Sequence, residues 1–506
     1  MLISPQSESF EARYNKGLAQ TVSTRLVADL ETPVSAMLKL GRHVRHSFLL
    51  ESVEGGAVRG RYSLIGLKPD LILRITGNRA EVNRKALADP DGPFEVMDQP
   101  PLDALRTILA ETRFDIPEDL PPMSAGLFGY MGYDTVRLME KLPEPNPDIL
   151  NVPDGIFIRP TIMAIFDAVK DEVTVVAPVY PSAEISARSA YARACERLYD
   201  VVDSLERPLD PRIHKQPDAP AIDAPVSNTT PEAYKAMVEK AKDYITDGDI
   251  FQVVLSQRFE TGFPLPPFAL YRALRRVNPS PFLYFLNFDE FSIIGSSPEI
   301  LVRVRDGKVS LRPIAGTRKR GATRAEDDAL AKELLADPKE RAEHLMLLDL
   351  GRNDAGRVSR IGTVTVTDQF ILEFYSQVMH IVSNVEGELD DRFDAIDALK
   401  AGFPAGTVSG APKVRAMEII DELEAEKRGP YAGCVGYFSA SGDMDTCIVL
   451  RTAIVKDGKM YVQAGAGIVA DSVPQNEHDE CINKARALFK AADEAIRFAG
   501  QAGRGQ

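Results

Sequence analysis

Two pairs of glutamates could hold a metal ion. Glu340 and Glu343 stand three residues apart in KERAEHLMLLDLGRND, and Glu477 and Glu480 repeat the spacing in PQNEHDECINKARAL. On helices that spacing puts both carboxylates of a pair on one face. Two such faces together make an all-oxygen donor set, which suits magnesium and not zinc. Solvated helix surface also accounts for either pair taken singly. Glycine-rich backbone beside cations or hydroxyls recurs in IAGTR at 314–318, PAGTVSGAPK at 404–413 and AGAGI at 464–468. Such runs let main-chain N–H groups approach an anion, or serve only as tight turns and a helix cap. None fits the P-loop spacing, which disfavours a nucleotide phosphate. Gln252, Glu299, His380 and Arg451 stand in or beside apolar, strand-like runs. Each could be a satisfied core polar group, but a charge inside a strand needs a partner, so Arg451 implies an anion. An acid, a basic anchor, a metal cage and anion-cradling backbone suit a small carboxylated substrate.

The elements that must position these residues are helices and short strands in alternation. Strand-like stretches run at 250–259, 281–288, 291–296, 300–305, 361–367, 378–387, 433–439, 445–456 and 459–464, with helices at 232–247, 267–277, 325–349, 411–426 and 475–498. Asp306-Gly307 and Asp457-Gly458 are hairpin turn chemistry, so the sheets should be antiparallel and the class α+β. Thr230-Pro231 opens a helix with a hydroxyl cap, and Ala233, Met237, Ala241 and Tyr244 are its expected apolar face. Prolines concentrate between 207 and 231, which reads as a linker between an N-terminal region, 1–206, and a second region, 232–498.

Composition excludes several function classes. With 60 basic and 74 acidic residues in 506, the net charge is −14, a poor match to nucleic acid. No apolar run approaches the roughly 20 residues of a membrane helix, and the first residues lack a signal-peptide profile. Four scattered cysteines with no CxxC fit a reducing compartment, so a soluble cytoplasmic protein is expected. There is no tryptophan at all.

A longer series of motifs makes the reading specific. GDIFQVVLSQR, NPSPFLYF, GSSPEILV, RPIAGTRKRG, KERAEHLMLLDLGRND, VMHIVSNVEG, FPAGTVSGAPKVRAMEII, DTCIVLRT, AGAGIVADS and NEHDECINKARAL follow one another across 230–490. In this order they resemble the chorismate-utilising enzymes. LLES at 49–52, GRYSLIG at 60–66 and GLFGYMGYD at 126–134 resemble the N-terminal region of the family's anthranilate-forming branch. The resemblance implies two facing antiparallel sheets covered by helices. Members that add water carry a lysine at Gln252, because water needs a general base and ammonia does not. Members that make a 4-amino product carry a lysine where this chain has Ala315. Both positions favour amination at ring C2, the folate-branch aminodeoxychorismate synthase being the nearest alternative and a non-catalytic sensing paralogue a remoter one.

The resemblance also implies roles. Mg2+ is held by Glu343 and Glu480, with Glu340 and Glu477 close by or acting through water, and binds the ring carboxylate. Arg451, Tyr431, Gly465 and Gly467 hold the enolpyruvyl carboxylate, and Lys484 assists near the metal. Glu299 is the general acid for the departing C4 hydroxyl, Thr317 and Thr407 position the substrate, and His380 serves pyruvate elimination. Leu50, Glu51 and Ser52, with Pro281, Phe282 and Leu283, match a tryptophan inhibitor site. No cysteine has the glycine-flanked context of a glutaminase nucleophile. Ammonia is therefore expected from a separate glutamine amidotransferase subunit, in a heterotetramer of two large and two small chains.

Overall fold

Two long strands, Val58–Thr76 and Gly155–Asp167, organise the architecture. The computed structural model describes residues 1–41, 44–54, 58–209, 221–375 and 378–499. The two strands pair antiparallel from Tyr62 opposite Asp167 to Ile75 opposite Gly155, with a register shift between Pro69 and Leu71. Pro69 lies opposite Pro160, and neither can donate to the ladder, so the ribbon is free to bend there.

Each end of the bent ribbon belongs to a different sheet. The first sheet runs from Gln20–Val27 through Glu172–Val179, the ribbon and Ser47–Glu54 to Phe282–Asn287, Phe291–Ser297, Thr452–Lys456, Lys459–Ile468 and Gln252–Gly262. The second takes the other end through Gly126–Met131, Cys434–Ser439, Met444–Ile448, Ile300–Arg305 and Lys308–Leu311 to Val378–Glu388. Ile314–Lys319 and Thr365–Phe374 both pair with that last strand. Every one of these pairings is antiparallel.

The inner faces meet in an aromatic-rich layer, where the Phe48 and Phe128 rings, one from each sheet, stack 4.6 Å apart. Helices Ala187–Glu206, Pro267–Val277 and Pro474–Ala499 bury apolar faces on the first sheet. Pro101–Thr112, Pro338–Gly356 and Ala395–Gly402 do so on the second. The expected class, α+β with two facing antiparallel sheets under helices, is the observed one.

Local departures have physical reasons. The helix expected over 325–349 is two, Arg324–Ala336 and Pro338–Gly356. Pro338 cannot continue the first, and the Asp337 side chain caps the second by accepting from the Lys339 and Glu340 N–H groups. Helix Pro231–Thr246 starts as expected at Thr230 and buries Ala241, with Met237 and Tyr244 half-buried against the core as expected. The centre of the buried face is shifted to Tyr234 and Val238, and Ala233 is exposed. The Tyr234 hydroxyl, donating to the Leu255 carbonyl at 3.0 Å, fixes that rotation. The strand expected over 445–456 is broken by Arg451, whose φ is +48°. Met444–Ile448 lies in the second sheet and Thr452–Lys456 in the first, so Arg451 stands in a crossing between sheets and not within a strand.

The middle of the Pro-rich segment, 210–220, lies outside the described residues. Its far flank is anchored by Val226–Ser227, which pairs with Phe259 and Glu260. Strands from both sides of the segment alternate: Ser47–Glu54 bonds to Phe282–Asn287, and Gly126–Met131 to Cys434–Ser439. All four cysteines are free thiols. Among the described residues no helix is long and apolar enough to cross a membrane.

Candidate active site

Glu299 occupies a second crossing, between Phe291–Ser297 in one sheet and Ile300–Arg305 in the other. The two crossings are tied together: the Ile448 N–H donates to the Glu299 carbonyl at 3.0 Å, and the Ser297 hydroxyl to the Ile448 carbonyl at 2.6 Å. The Glu299 side chain is buried, with Thr407 Oγ1 3.1 and 3.2 Å from its two oxygens. Burial pushes this carboxyl up to about 8, against the opposing donation from Thr407 and the Ile314 N–H. It therefore carries its proton at neutral pH, as a general acid must.

Thr317 follows Ile314 on the same strand, opposite His380. Its hydroxyl lies 3.0 Å from His380 Nδ1, which also sits 3.1 Å from the Gly316 carbonyl. That carbonyl only accepts, so Nδ1 carries the hydrogen and Nε2 keeps a lone pair. Burial, and then the nearby Arg451 charge, lower the imidazole to about 4, so His380 is neutral. The Arg451 guanidinium itself has no carboxylate partner among the described residues, and burial lowers its affinity for the proton.

The two glutamate pairs face each other. Burial first, then the charges of Glu340 and Glu480, raise the Glu343 carboxyl, and burial with Glu480 raises Glu477. Arg318 Nη1 holds Glu340 at 2.8 Å, and Lys484 Nζ bridges Glu480 at 2.7 Å and the Gly465 carbonyl at 2.9 Å. No three acidic, histidine or cysteine residues close on a common point among the described residues. The donor set nevertheless fits Mg2+. The ion commonly takes one or two protein carboxylates and completes its shell with water and substrate, and Glu343 repelled by two carboxylates is a site where a cation relieves charge.

The remaining expected residues line the same region. A Cβ added to Gly465 would meet Tyr431 Oη at 2.8 Å, and one on Gly467 would meet Gln252 Nε2 at 2.5 Å, so both glycines let a polar side chain lie against the backbone. Gln252 is buried with its Oε1 unpartnered. A Cβ on Gly316 would come within 3.1 Å of Glu340 Oε2, which links the His380 strand to the carboxylate cluster. Glu299, Thr407, Thr317, His380, Arg451, Gly465, Gly467, Tyr431, Gln252, Lys484 and the four glutamates thus form one constellation.

The six inhibitor candidates lie apart from it. Ser52 pairs with Phe282 and Glu51 with Leu283, directly after Pro281, so the two motifs do meet on adjacent strands with Leu50 beside them. The Glu51 carboxylate is engaged within the protein. Arg275 grips it through Nε and Nη2 at 2.6 and 2.9 Å, and the Tyr271 hydroxyl donates to it at 2.5 Å. Sequence reading passed over Arg275, and also over Arg428 with Glu424, a fully buried ion pair beside Tyr431. The four-residue spacing of Glu424 and Arg428 was the available signal, but it is common on solvated helices.

Residues 49–490 match the family described as chorismate binding enzyme, and the chain belongs to that family. It is 58% identical over 498 residues to anthranilate synthase component 1 of Cereibacter sphaeroides, covering 98% of this chain and 99% of that one. To the Pseudomonas aeruginosa protein of the same name it is 48% identical, covering 93% and 94%. The crystal structure of anthranilate synthase component I from Streptococcus pneumoniae superposes with a TM-score of 0.76 at 40% identity, over 92% of this chain and 99% of that chain. The menaquinone-specific isochorismate synthase of Escherichia coli shares the fold, with a TM-score of 0.70 at 19% identity over 96% and 100%.

The buried acid makes a stability prediction. The folded Glu299 keeps its proton up to about 8, whereas the unfolded chain loses it near the ordinary value of 4.5. Between those values the unfolded state binds fewer protons, so this group makes stability fall as pH rises. Glu299→Gln has no proton to lose. Its Tm relative to wild type should climb from about pH 5 to about pH 8 and then level off; a Tm difference that stays constant across that window contradicts the burial argument.

Proposed function

We propose that the protein is the large, chorismate-converting subunit of an anthranilate synthase: chorismate and ammonia give anthranilate, pyruvate and water. This is the first step of tryptophan biosynthesis, carried out in the cytoplasm. The observation that carries the reading is a protonated, buried Glu299 in one constellation with Arg451, which has no carboxylate partner among the described residues, and with Glu343, whose carboxyl is raised by burial and by the charges of Glu340 and Glu480. The names of the relatives support the choice of product.

Arg451 and Tyr431, with the backbone of Gly465 and Gly467, bind the enolpyruvyl carboxylate. Glu343 and Glu480 would hold Mg2+, with Glu340 and Glu477 nearby, and the bound ion would neutralise and orient the ring carboxylate. Lys484 stands beside that carboxylate. Glu299 gives its proton to the C4 hydroxyl, which leaves as water while ammonia attacks C2. Thr407 keeps the resulting carboxylate of Glu299 supplied with a hydrogen bond. Gln252 offers the entering nucleophile an acceptor and no base, so ammonia reacts and water is not activated. In the second half, neutral His380 accepts the C2 proton at Nε2, Thr317 holds the imidazole, and the C3–O bond breaks to release enolpyruvate, which takes a proton at its methylene carbon, from the imidazolium or solvent, to become pyruvate.

Ammonia is delivered by a separate glutamine amidotransferase subunit in a heterotetramer of two large and two small chains. Tryptophan inhibits by binding where Leu50, Glu51 and Ser52 meet Pro281, Phe282 and Leu283. Since Arg275 and Tyr271 already hold Glu51, an incoming ammonium group must share or displace those contacts.

Purified chain with chorismate, Mg2+ and an ammonium salt should release anthranilate, identified by chromatography, while a 4-amino product or isochorismate sinks the reading. The inhibitor site is tested without any label, because the chain has no tryptophan. Indole emission then comes from ligand alone, and its anisotropy should rise as protein is added to free tryptophan. Unchanged anisotropy at protein concentrations that sustain turnover contradicts the regulatory site.

A further inference from the structure

Arg428 is the largest fully buried side chain of the described residues, and nothing in the chemistry above uses it. Its guanidinium makes a bidentate pair with Glu424, Nε to Oε2 at 2.9 Å and Nη2 to Oε1 at 2.6 Å. The outer edge of the fork reaches two main-chain carbonyls, Nη1 to Val408 at 2.7 Å and Nη2 to Val254 at 2.6 Å. Its flat face lies against aromatic rings, 5.6 Å from the centroid of Tyr431 and 4.7 Å from that of Tyr133. Glu424 extends the contact to the first sheet, because Oε1 accepts from the Ser256 N–H at 2.8 Å and hydroxyl at 2.9 Å, and Ser256 is paired with Gly465.

These contacts end on three parts of the site. Val408 follows Thr407 in the Gly406–Val408 turn whose hydroxyl serves Glu299. Tyr431 lies against Gly465, and Val254 is paired with Gly467. A buried ion pair contributes little net stability compared with an apolar replacement, so the geometry it imposes is the more specific thing it supplies. A planar fork that sets the turn, the ring and the strand at once is something lysine cannot copy.

We propose that Arg428 is a positioning residue for the reaction: through the Val408 carbonyl it aims Thr407 at Glu299, and through the Tyr431 ring it fixes the carboxylate-binding edge. The inference rests on the functional reading above. It requires that the Arg428 and Thr407 effects be coupled, since one acts through the other.

The test is a double-mutant cycle of Arg428→Lys and Thr407→Val, assayed with chorismate, Mg2+ and ammonium across pH, with thermal unfolding as a check on folding. Arg428→Lys should lower kcat by roughly tenfold to a hundredfold, the scale of a misplaced catalytic group, and raise KM for chorismate through Tyr431. The double variant should have the kcat of Thr407→Val and not the product of the two losses. Thr407 donation favours the Glu299 carboxylate, so both singles should also move the alkaline limb of the rate profile upward. Arg312 and Asp354, the other charged groups lining the cavity beside Glu299, are untouched by either change, as is Lys413, which pairs with Asp354. Wild-type rates in Arg428→Lys, or multiplicative losses with an unmoved limb, overturn the proposal. If Arg428→Lys does not fold, Glu424→Gln loosens the same fork and should move the limb in the same direction; an unmoved limb in folded Glu424→Gln overturns it. A wild-type chain that makes no anthranilate fails the functional reading, whereas active wild type with an unaffected Arg428→Lys fails this inference alone.

Discussion

A carboxyl group kept neutral by burial is the constraint around which the site is arranged. Glu299 can carry its proton near pH 7 only if water is kept from it, and the fold achieves this where two chain crossings pass between facing sheets. One crossing holds the acid, the other Arg451, and the hydrogen bonds through Ile448 and Ser297 lock them in relation to each other. The Thr407 hydroxyl and the Ile314 N–H are enough to support the carboxylate once the proton has gone, but not enough to draw it off beforehand. The second sheet brings His380 and Thr317, and the first brings Gln252, Gly465 and Gly467.

Charge around this acid is left deliberately unsettled. Arg451 has no carboxylate partner among the described residues, while burial and then the charges of Glu340 and Glu480 raise the Glu343 carboxyl. Under the proposed function, the arginine would take one carboxylate of a dicarboxylated substrate and a cation held by the glutamates would take the other. The net charge of −14 cannot draw in such an anion, so recognition must be local. The strand that carries Phe282 and Leu283 is joined to the Arg451 crossing by a hydrogen bond. Tyr284, next to Leu283, shares a 2.6 Å hydrogen bond with Thr452, the residue after Arg451.

The fold class was legible because hairpin turns, capped helices and alternating apolar runs are local features. Thr230 as a cap and the chemistry-bearing motifs were equally local, and the family resemblance joined them. What depended on tertiary contact was not readable. The broken strand at Arg451 has no glycine to announce it, because the positive φ is imposed by the crossing between sheets. Helix Pro231–Thr246 turns its expected face slightly, because Tyr234 is apolar in body and bonds through its hydroxyl, which pattern alone does not reveal. Pro338 is the local signal for the break within the helix expected over 325–349. Arg428 and Arg275 were invisible as functional groups, since a sequence does not show which arginines are buried.

The ionisation of one side chain, Glu299, decides whether the site holds a general acid at neutral pH. Carboxyl-13C-glutamate labelling, with the difference between wild-type and Glu299→Gln spectra isolating the one resonance, reads it directly as pH is varied. A single titration with a midpoint near 8 is the result that burial requires. A midpoint close to the ordinary 4.5 would mean that Glu299 is ionised at neutral pH, and no general acid would remain at the centre of the site.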